Sequence, residues 1–341
     1  MALHQCGVCE ELLEKRWWSR HRLRRMLDSS DVDRAAGNVA GTMTGSVIMR
    51  TTGLLHELRN LALVLLIPFA AVAQDATPST AVSAAYGNYS DRVNVGDHSL
   101  YLTCKGKGSP TVILESGSLS MTTRSWEEIQ EQVGKYTRVC SYDRANVGKS
   151  GSTLGPRSVQ QMADDLNELL TTAHVPTPYV LASFSFGSLV SRLYASQHPD
   201  DVAGVVLIDP LSEELEARWQ DVLSPELWAQ RISVFWRGNP EQIALDESYA
   251  QIRNSEPLPE MPMLVLVHDE VSHGAGLIPV EWPAGQLDPI WQELVAAQAD
   301  LVRDGALIVA KASGHDIPAD QPDLVVMAIR SVVWPPMTPV V

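Results

Sequence analysis

Residues 179–187 read YVLASFSFG, and this stretch decides the fold. Tyr179–Ala182 is a short apolar run typical of a buried strand, and Ser188–Gln197, just behind the turn, has helical spacing. Sheets in which parallel strands alternate with helices are built from such strand–turn–helix units. The stretch therefore predicts one of these units, with a sharp turn at its centre.

A serine lies at the centre of this turn. A nucleophile on a sharp strand-to-helix turn needs small residues two positions before and after it, because neighbouring backbones crowd the turn. Ser185 meets this requirement with Ser183 and Gly187, whereas Ser183 itself has Leu181 two positions before it. Ligands bind at the carboxyl ends of strands in open α/β sheets. We therefore predict that Ser185 is a nucleophile.

Apolar runs alternate with helical spacing through the rest of the body. Such a pattern indicates an α/β fold with a mostly parallel central sheet covered by helices on both faces, after a hairpin-like start. The predicted strands are Val93–Val95, Ser99–Cys104, Thr111–Leu114, Thr137–Tyr142, Tyr179–Ala182, Val202–Ile208, Met263–Val267 and Ala306–Ala310. The predicted helices are Trp126–Tyr136, Arg157–Ala173, Ser188–Gln197, Trp291–Arg303 and Gln321–Val333.

One insertion interrupts this alternation. Residues 211–260 separate two predicted strands by far more than the dozen or so residues that a crossover needs. The segment contains four large aromatic residues, Trp219, Trp228, Phe235 and Trp236. We expect a helical cap over the active site, lined by these aromatics. The alternative is an extra helical layer that buries them itself.

The serine needs a base, and imidazole is the side chain best matched to that task near neutral pH. His315 lies just past the last predicted strand and just before the last helix, so we predict that it is the base. The alternative for any single loop histidine is a surface position. We expect the other histidines of the body to be structural or solvated: His98, His174, His198, His268 and His273.

A carboxylate must hold the imidazole in the correct tautomer and stabilise its cation. Asp209 directly follows the strand Val202–Ile208, and we predict that it is this acid. Its other possible role is to cap the following helix. Asp269, two residues after the end of the strand Met263–Val267, remains the alternative acid.

An oxyanion needs hydrogen-bond donors aimed at it. The backbone N–H of Phe186, next to the nucleophile, is the first predicted donor. The second is the N–H of Ser118, in the loop after the strand Thr111–Leu114, where Gly117 allows close approach of the backbone. We expect Glu115 in the same loop to be a structural carboxylate, with a site role as the alternative.

These residues together resemble the α/β-hydrolase superfamily, in its serine esterase and lipase-like branch. Ser185, Asp209 and His315 follow its nucleophile–acid–histidine order. Residues 140–150, CSYDRANVGKS, resemble the segment YDRxGxGxS, and residues 114–117, LESG, resemble the LHG loop. The resemblance covers about residues 92–334. Departures are Ser183 and Asn146 in place of glycines, Ser116 in place of histidine, and an acid after strand six instead of seven.

The resemblance implies a serine hydrolase that needs no metal or organic cofactor and acts on a small molecule, for which we expect a carboxylic ester. Amide, lactone or carbon–carbon bond hydrolysis on the same residues is an alternative, because fold alone does not select a substrate. A non-catalytic, hydrolase-like binding protein is a second one.

The composition limits the classes of partner that the protein is expected to bind. The chain of 341 residues has 41 Asp and Glu against 26 Lys and Arg, so its net charge of −15 argues against a general nucleic-acid binder. The Cys6-x-x-Cys9 pair has no second ligand pair near it, and we expect no metal there.

A secretory signal peptide is predicted over residues 49–73. Arg50 and Arg59 precede the apolar run Leu61–Val72, and an A-x-A cleavage site ends at Ala73. The run is too short to span a bilayer about 30 Å thick, so no stable membrane span is expected. A short buried helix or an uncleaved anchor is the alternative.

The leader sets the predicted organisation of the chain. Translation is expected to start near Met49, with residues 1–48 a mis-assigned extension, 74–90 a linker and 91–334 the hydrolase-like domain. The mature protein is then secreted or periplasmic and keeps two cysteines, Cys104 and Cys140. An oxidising compartment permits their pairing, and the family resemblance implies that their strands are neighbours; two buried free thiols are the alternative.

Overall fold

The computed structural model describes residues 87–118, 122–270 and 282–334. Within them, eight strands form one sheet in the order β1-β2-β4-β3-β5-β6-β7-β8. The strands are β1 Tyr89–Asn94, β2 Ser99–Lys105, β3 Thr111–Glu115, β4 Val139–Asp143, β5 Tyr179–Phe184, β6 Val202–Ile208, β7 Met263–His268 and β8 Ala306–Ala310. The predicted extension, signal peptide and most of the linker lie outside the described residues, and β1 begins two residues inside the predicted linker.

The sheet is mostly parallel. Strand β2 pairs antiparallel with β1 and with β4, and the strands from β4 through β3 to β8 are parallel to one another. The predicted fold class, including its hairpin-like start, is confirmed. Parallel strands of one sheet place their carboxyl ends at the same edge, so the residues that follow β3, β5, β6, β7 and β8 converge there.

The α-helices of the described residues are α1 Glu127–Val133, α2 Val159–Thr172, α3 Gly187–Gln197, α4 Leu215–Gln220, α5 Pro225–Arg231, α6 Leu245–Arg253, α7 Ala284–Ala297, α8 Ile317–Asp320 and α9 Pro322–Val333. Helix α7 differs from its prediction, because it begins seven residues before Trp291 and ends at Ala297, followed by a 3-10 turn, Gln298–Leu301. Pro289 lies inside it, although proline normally marks the first turn of a helix.

Two apolar clusters cover the two faces of the sheet. Helices α2 and α3 pack on one face with Leu181 and Val205, and α1 and α9 pack on the other with Val180 and Val206. Successive residues of a strand point to opposite faces, and here both faces are buried. This explains why β5 and β6 read as continuous apolar runs rather than alternating ones.

The insertion 211–260 is helical, as predicted. It contains α4, α5, the π-helix Ile232–Arg237 and α6. Trp219 and Trp236 are buried, and the Trp236 indole N–H donates to Glu216, 2.9 Å away. The insertion therefore buries aromatic residues of its own, as an extra helical layer would.

Cys104 and Cys140 face each other across the antiparallel pair β2 and β4 and form a disulfide, with Cα atoms 4.0 Å apart. The structure thus contains the pairing rather than two free thiols. Separately, none of the helices in the described ranges is long and apolar enough to cross a membrane.

Candidate active site

The turn after β5 has the geometry that its sequence predicts. Ser185 has a φ of +50°, in the left-handed region that non-glycine residues rarely adopt. Its N–H donates to the carbonyl of Ile208 on the neighbouring strand, 3.0 Å away. A Cβ at Gly187 would lie 2.4 Å from the carbonyl oxygen of Ser116, so no larger residue fits there. The loop after β3 thus packs directly against this turn.

Ser183, where the family pattern has glycine, is fully buried. Its Oγ has no hydrogen-bond partner among the described residues. Ser185, by contrast, retains slight exposure, with 9% of its surface accessible. Of the two serines in the turn, only Ser185 has a hydroxyl in contact with another site residue.

His315 lies in the short loop between β8 and α8. This loop is held by Asp320, whose Oδ2 accepts hydrogen bonds from the Gly314 N–H at 3.0 Å and the Ser313 hydroxyl at 3.1 Å. The imidazole packs against Trp291 and Phe184, with ring centroids 4.8 and 4.9 Å away. The His315 side chain is 32% exposed, so the imidazole is accessible to solvent at the surface of the described residues.

The two nitrogens of His315 contact the two residues that the sequence singles out. Nε2 lies 3.0 Å from Oγ of Ser185, and Nδ1 lies 2.5 Å from Oδ2 of Asp209. With its proton on Nδ1, the ring donates to the carboxylate and accepts from the serine hydroxyl. The structure therefore brings all three predicted residues into one hydrogen-bonded chain.

Asp209 reaches this position from a strained backbone at the end of β6. Its φ is +42°, and its N–H donates to the carbonyl of Leu266 on β7, 2.9 Å away. The side chain is fully buried. Burial alone would raise the pKa of Asp209, but hydrogen bonds from His268 and His315 and their positive charge lower it below its ordinary value.

The alternative acid, Asp269, makes different contacts. Its Oδ2 lies 3.2 Å from Nζ of Lys311, and its N–H donates to the carbonyl of Ser313. A quarter of the Asp269 side chain is exposed. The structure therefore places Asp209, and not Asp269, against His315.

A second histidine contacts Asp209, and this contact was not predicted. His268 ends β7 and is buried; its Nδ1 lies 2.8 Å from Oδ2 of Asp209, and its backbone N–H donates to Oδ1 at 3.2 Å. The expectation of a structural or solvated ring misses this contact. A usable signal existed, because Asp209 and His268 directly follow two consecutive predicted strands. Of the other histidines, His273 lies outside the described residues.

One predicted oxyanion residue adjoins the nucleophile, and the other lies in the loop after β3. Phe186 directly follows Ser185, and Ser118 lies in the loop after β3 that packs on the turn. Arg144 holds this loop, because its guanidinium donates to the carbonyl of Ser116 at 2.6 Å and to that of Gly117 at 2.5 Å. The same guanidinium lies 5.5 Å from the centre of the Phe186 ring. Arg144 therefore contacts both segments that carry the predicted donors.

Two buried carboxylates neutralise Arg144. Its Nε donates to Glu241 of the insertion at 2.6 Å, and it also forms an ion pair with Glu115. Glu115 accepts a further hydrogen bond from Tyr142. Burial raises the pKa of Glu115, against the opposing effect of Arg144. Glu115 thus contacts Arg144 and Tyr142, which is consistent with a structural carboxylate.

The segment after β4 is a tight turn around Asp143. This carboxylate accepts from the N–H groups of Thr123 at 2.7 Å and Lys149 at 2.8 Å. Gly148 has a φ of +58°, and a Cβ there would lie 2.1 Å from Asp143. Asn146 has a φ of +71°, which explains why asparagine can replace a glycine of the family pattern.

Asp209, His268 and His315 also offer ligand atoms within 4.8 Å of one another, the spacing that a metal ion requires. In this arrangement the three groups are joined to one another, since both rings contact the same carboxylate oxygen. The donor set would suit zinc, but binding would require loss of both ring–carboxylate hydrogen bonds.

A serine on a strained strand-to-helix turn lies beside a histidine and a buried aspartate, at one edge of a mostly parallel sheet. This combination defines a class of α/β proteins. Comparison with known proteins points to the same class. A family profile described as alpha/beta hydrolase fold matches residues 110–239. The described residues have the α/β-hydrolase fold.

Individual relatives are distant. The uncharacterized protein YqjL of Bacillus subtilis is 27% identical over 236 residues, which are 67% of this chain and 85% of that protein. The crystal structure of Cfl2 from Burkholderia cenocepacia superposes with a TM-score of 0.52 at 19% identity, covering 73% of this chain and 97% of that one. A thermophilic esterase from Thermogutta terrifontis gives a TM-score of 0.50 at 20% identity, covering 71% and 97%. At such identities the solved structures show the fold alone.

Proposed function

We propose that this protein is a serine hydrolase that cleaves a carboxylic ester, with Ser185 as nucleophile, His315 as base and Asp209 as the acid that orients the base. The observation that carries the proposal is the hydrogen-bonded chain from Ser185 Oγ through the His315 ring to Asp209, with distances of 3.0 and 2.5 Å. This is the arrangement that activates a serine hydroxyl in acyl transfer.

The reaction follows from these contacts. Ser185 attacks the acyl carbon while its proton passes to Nε2 of His315, and the amides of Ser118 and Phe186 stabilise the oxyanion. His315 then protonates the departing alcohol, which leaves an acyl group on Ser185. In the second half, His315 takes a proton from water, the resulting hydroxide attacks the acyl carbon, and Ser185 leaves with that proton as the carboxylic acid is released.

The substrate class rests on chemistry and on the surroundings of the base. An alcohol leaves more readily than an amine, so an ester needs less activation by Ser185, His315 and Asp209 than an amide does. The rings of Trp291 and Phe184 lie against His315, and Trp236 lies 6.2 Å from Phe186. The surroundings of the base are therefore apolar.

Labelling with a fluorophosphonate tests the nucleophile. We expect one covalent adduct, located on Ser185 by peptide mass spectrometry, and its loss in Ser185→Ala. Ser183→Ala is the matched control, because this neighbouring serine is buried and makes no contact with His315. A wild-type protein that resists the label would favour the non-catalytic binding protein, and a label retained by Ser185→Ala would exclude this nucleophile.

A substrate panel tests the bond that is cleaved. p-Nitrophenyl esters of graded acyl length, the matching anilides and simple lactones should be compared for Ser185-dependent turnover. We expect esters to be hydrolysed fastest. Faster turnover of anilides or lactones would replace the ester by that substrate class while keeping the nucleophile.

The secreted or periplasmic location is also a proposal. It rests on the leader pattern of residues 49–73 and is supported by the disulfide between Cys104 and Cys140, since such bonds persist mainly in oxidising compartments.

A further inference from the structure

We propose that His268 is a positioning residue for the proposed reaction, because it fixes the carboxylate of Asp209 in the orientation that His315 requires. This role rests on the proposed function of Ser185, His315 and Asp209. The proposed reaction steps do not involve His268, although it is a buried ionisable group in direct contact with the acid.

The hydrogen bonds of Asp209 carry the argument. Its Oδ1 accepts from the backbone N–H of His268 at 3.2 Å, and its Oδ2 accepts from Nδ1 of His268 at 2.8 Å and from Nδ1 of His315 at 2.5 Å. The terminal torsion of an aspartate is broad and weakly restrained on its own. Two of these three donors come from His268, so this residue fixes the rotation of the carboxylate.

The position of His268 in the fold makes this contact rigid. β6 and β7 are adjacent and parallel, with Ile208 opposite Leu266, so the residues that end them meet at one edge of the sheet. The carbonyl of His268 also accepts from the Gln292 side chain at 3.2 Å, which anchors it to α7. A donor built on a buried strand is held more precisely than one on a loop.

The remaining charges around His268 are acidic. Asp288 on α7 and Asp269, the next residue in the chain, act on it by charge in addition to Asp209, and His315 lies on the other side of the shared carboxylate. Nε2 of His268 has no hydrogen-bond partner among the described residues. Contact with Asp209 through Nδ1 is therefore the one hydrogen bond that this ring makes in the part of the chain that the structure describes.

Substitutions that replace one ring nitrogen of His268 but not the other test the proposal. The side-chain amide of asparagine reaches the place of Nδ1, whereas that of glutamine reaches the place of Nε2. We expect His268→Leu and His268→Gln to lower kcat about tenfold with KM unchanged, and His268→Asn to restore most of that loss. If His268→Leu fails to fold, the comparison of glutamine with asparagine still decides the question. Asp269→Asn, beside it in sequence, is the control expected to keep kcat.

A second measurement does not depend on turnover. In the Ser185→Ala background, the proton between His315 Nδ1 and Asp209 should give a low-field proton NMR resonance. It should persist in His268→Asn and broaden in His268→Gln, because a carboxylate free to rotate exposes this proton to exchange. Equal kcat in the glutamine and asparagine variants, or an identical resonance in both, would overturn the role of His268.

These outcomes are distinct from failure of the proposed function. A wild-type protein that hydrolyses no ester would overturn the proposed function, while the resonance comparison would still decide whether His268 orients Asp209. The positioning role alone would be overturned if the protein hydrolyses esters through Ser185 but His268→Asn and His268→Gln have the same kcat.

Discussion

Nζ of Lys311 lies 3.2 Å from Oδ2 of Asp269, and this ion pair engages the carboxylate that competes with Asp209 for the role of acid. Asp209→Asn should lower kcat by about 10⁴, because an amide at this position favours the wrong tautomer of His315. Asp269→Asn should change kcat less than about twofold, since it removes only an ion pair at the protein surface. Both variants are to be assayed with p-nitrophenyl esters at equal folded fraction. The reverse order of effects would assign the acid to Asp269.

The segment around the nucleophile was predictable because its signals are local. Ser183 and Gly187 flank Ser185 at the spacing that the crowded turn requires, and His315 lies between the last strand and the last helix. The contact between His268 and Asp209 depends on the register of β6 and β7, which is a property of the folded sheet rather than of either strand.

The disulfide and helix α7 illustrate the same limit. Pairing of Cys104 with Cys140 requires that β2 and β4 be neighbours in antiparallel register, and no local pattern contains that information. Pro289 resembles a helix start, yet α7 begins at Ala284 because tertiary packing of its apolar residues outweighs the local signal.

Arg144 is expected to support the oxyanion loop. Arg144→Lys keeps the charge but has only three donors, too few for the carbonyls of Ser116 and Gly117 together with both Glu115 and Glu241. We expect kcat to fall about tenfold, and the free energy of unfolding to fall by about 1–3 kcal/mol, because buried acceptors lose their donors. Ester kinetics and urea unfolding measure the two effects.

A matched control for this substitution is Arg218→Lys. Arg218 forms an ion pair with Glu293 in which both side chains are largely exposed, so no measurable change in either quantity is expected. Equal behaviour of the two lysine variants would contradict a special role for Arg144.

The disulfide should stabilise the fold. It closes a loop with a sequence separation of 36 residues, and a loop of this size corresponds to about 3–4 kcal/mol of stabilisation through restriction of the unfolded chain. Replacement of both Cys104 and Cys140 by alanine should lower the free energy of unfolding by this amount in urea. Alkylation of the denatured, unreduced protein is the direct check, and modification of both cysteines would contradict the bond.

The leader prediction concerns the mature amino terminus. Because the A-x-A site ends at Ala73, protein recovered from the periplasm or the medium should begin at Gln74. Amino-terminal sequencing and intact mass measure this directly. An Ala73→Asp substitution should block processing, since the cleavage site requires small residues. Exported protein that still begins at Met1 would refute both the signal peptide and the mis-assigned start.

The final prediction uses the pH dependence of stability. Burial favours the neutral ring of His268, but its hydrogen bond to Asp209 and the charges of Asp209, Asp288 and Asp269 outweigh burial and raise its pKa above the ordinary value. The folded protein therefore binds this proton more tightly than the unfolded chain does. The resulting stabilisation is fully present below about pH 6.5, the pKa of histidine in an unfolded chain, and is lost as the pH rises through the higher folded value.

His268→Asn removes this proton-linked stabilisation and keeps a donor for Asp209. The difference in free energy of unfolding between wild type and His268→Asn, measured in urea, should therefore be larger at about pH 5.5 than at about pH 9. Asp209 does not disturb this comparison, because its pKa is lowered and its own contribution is lost only as the pH falls below about 3.9. Because His268 is buried, the pH dependence should survive in about 1 M salt, which screens exposed charges. A difference that is constant with pH, or that grows toward high pH, would show that Asp209 does not hold a proton on His268 in the folded protein.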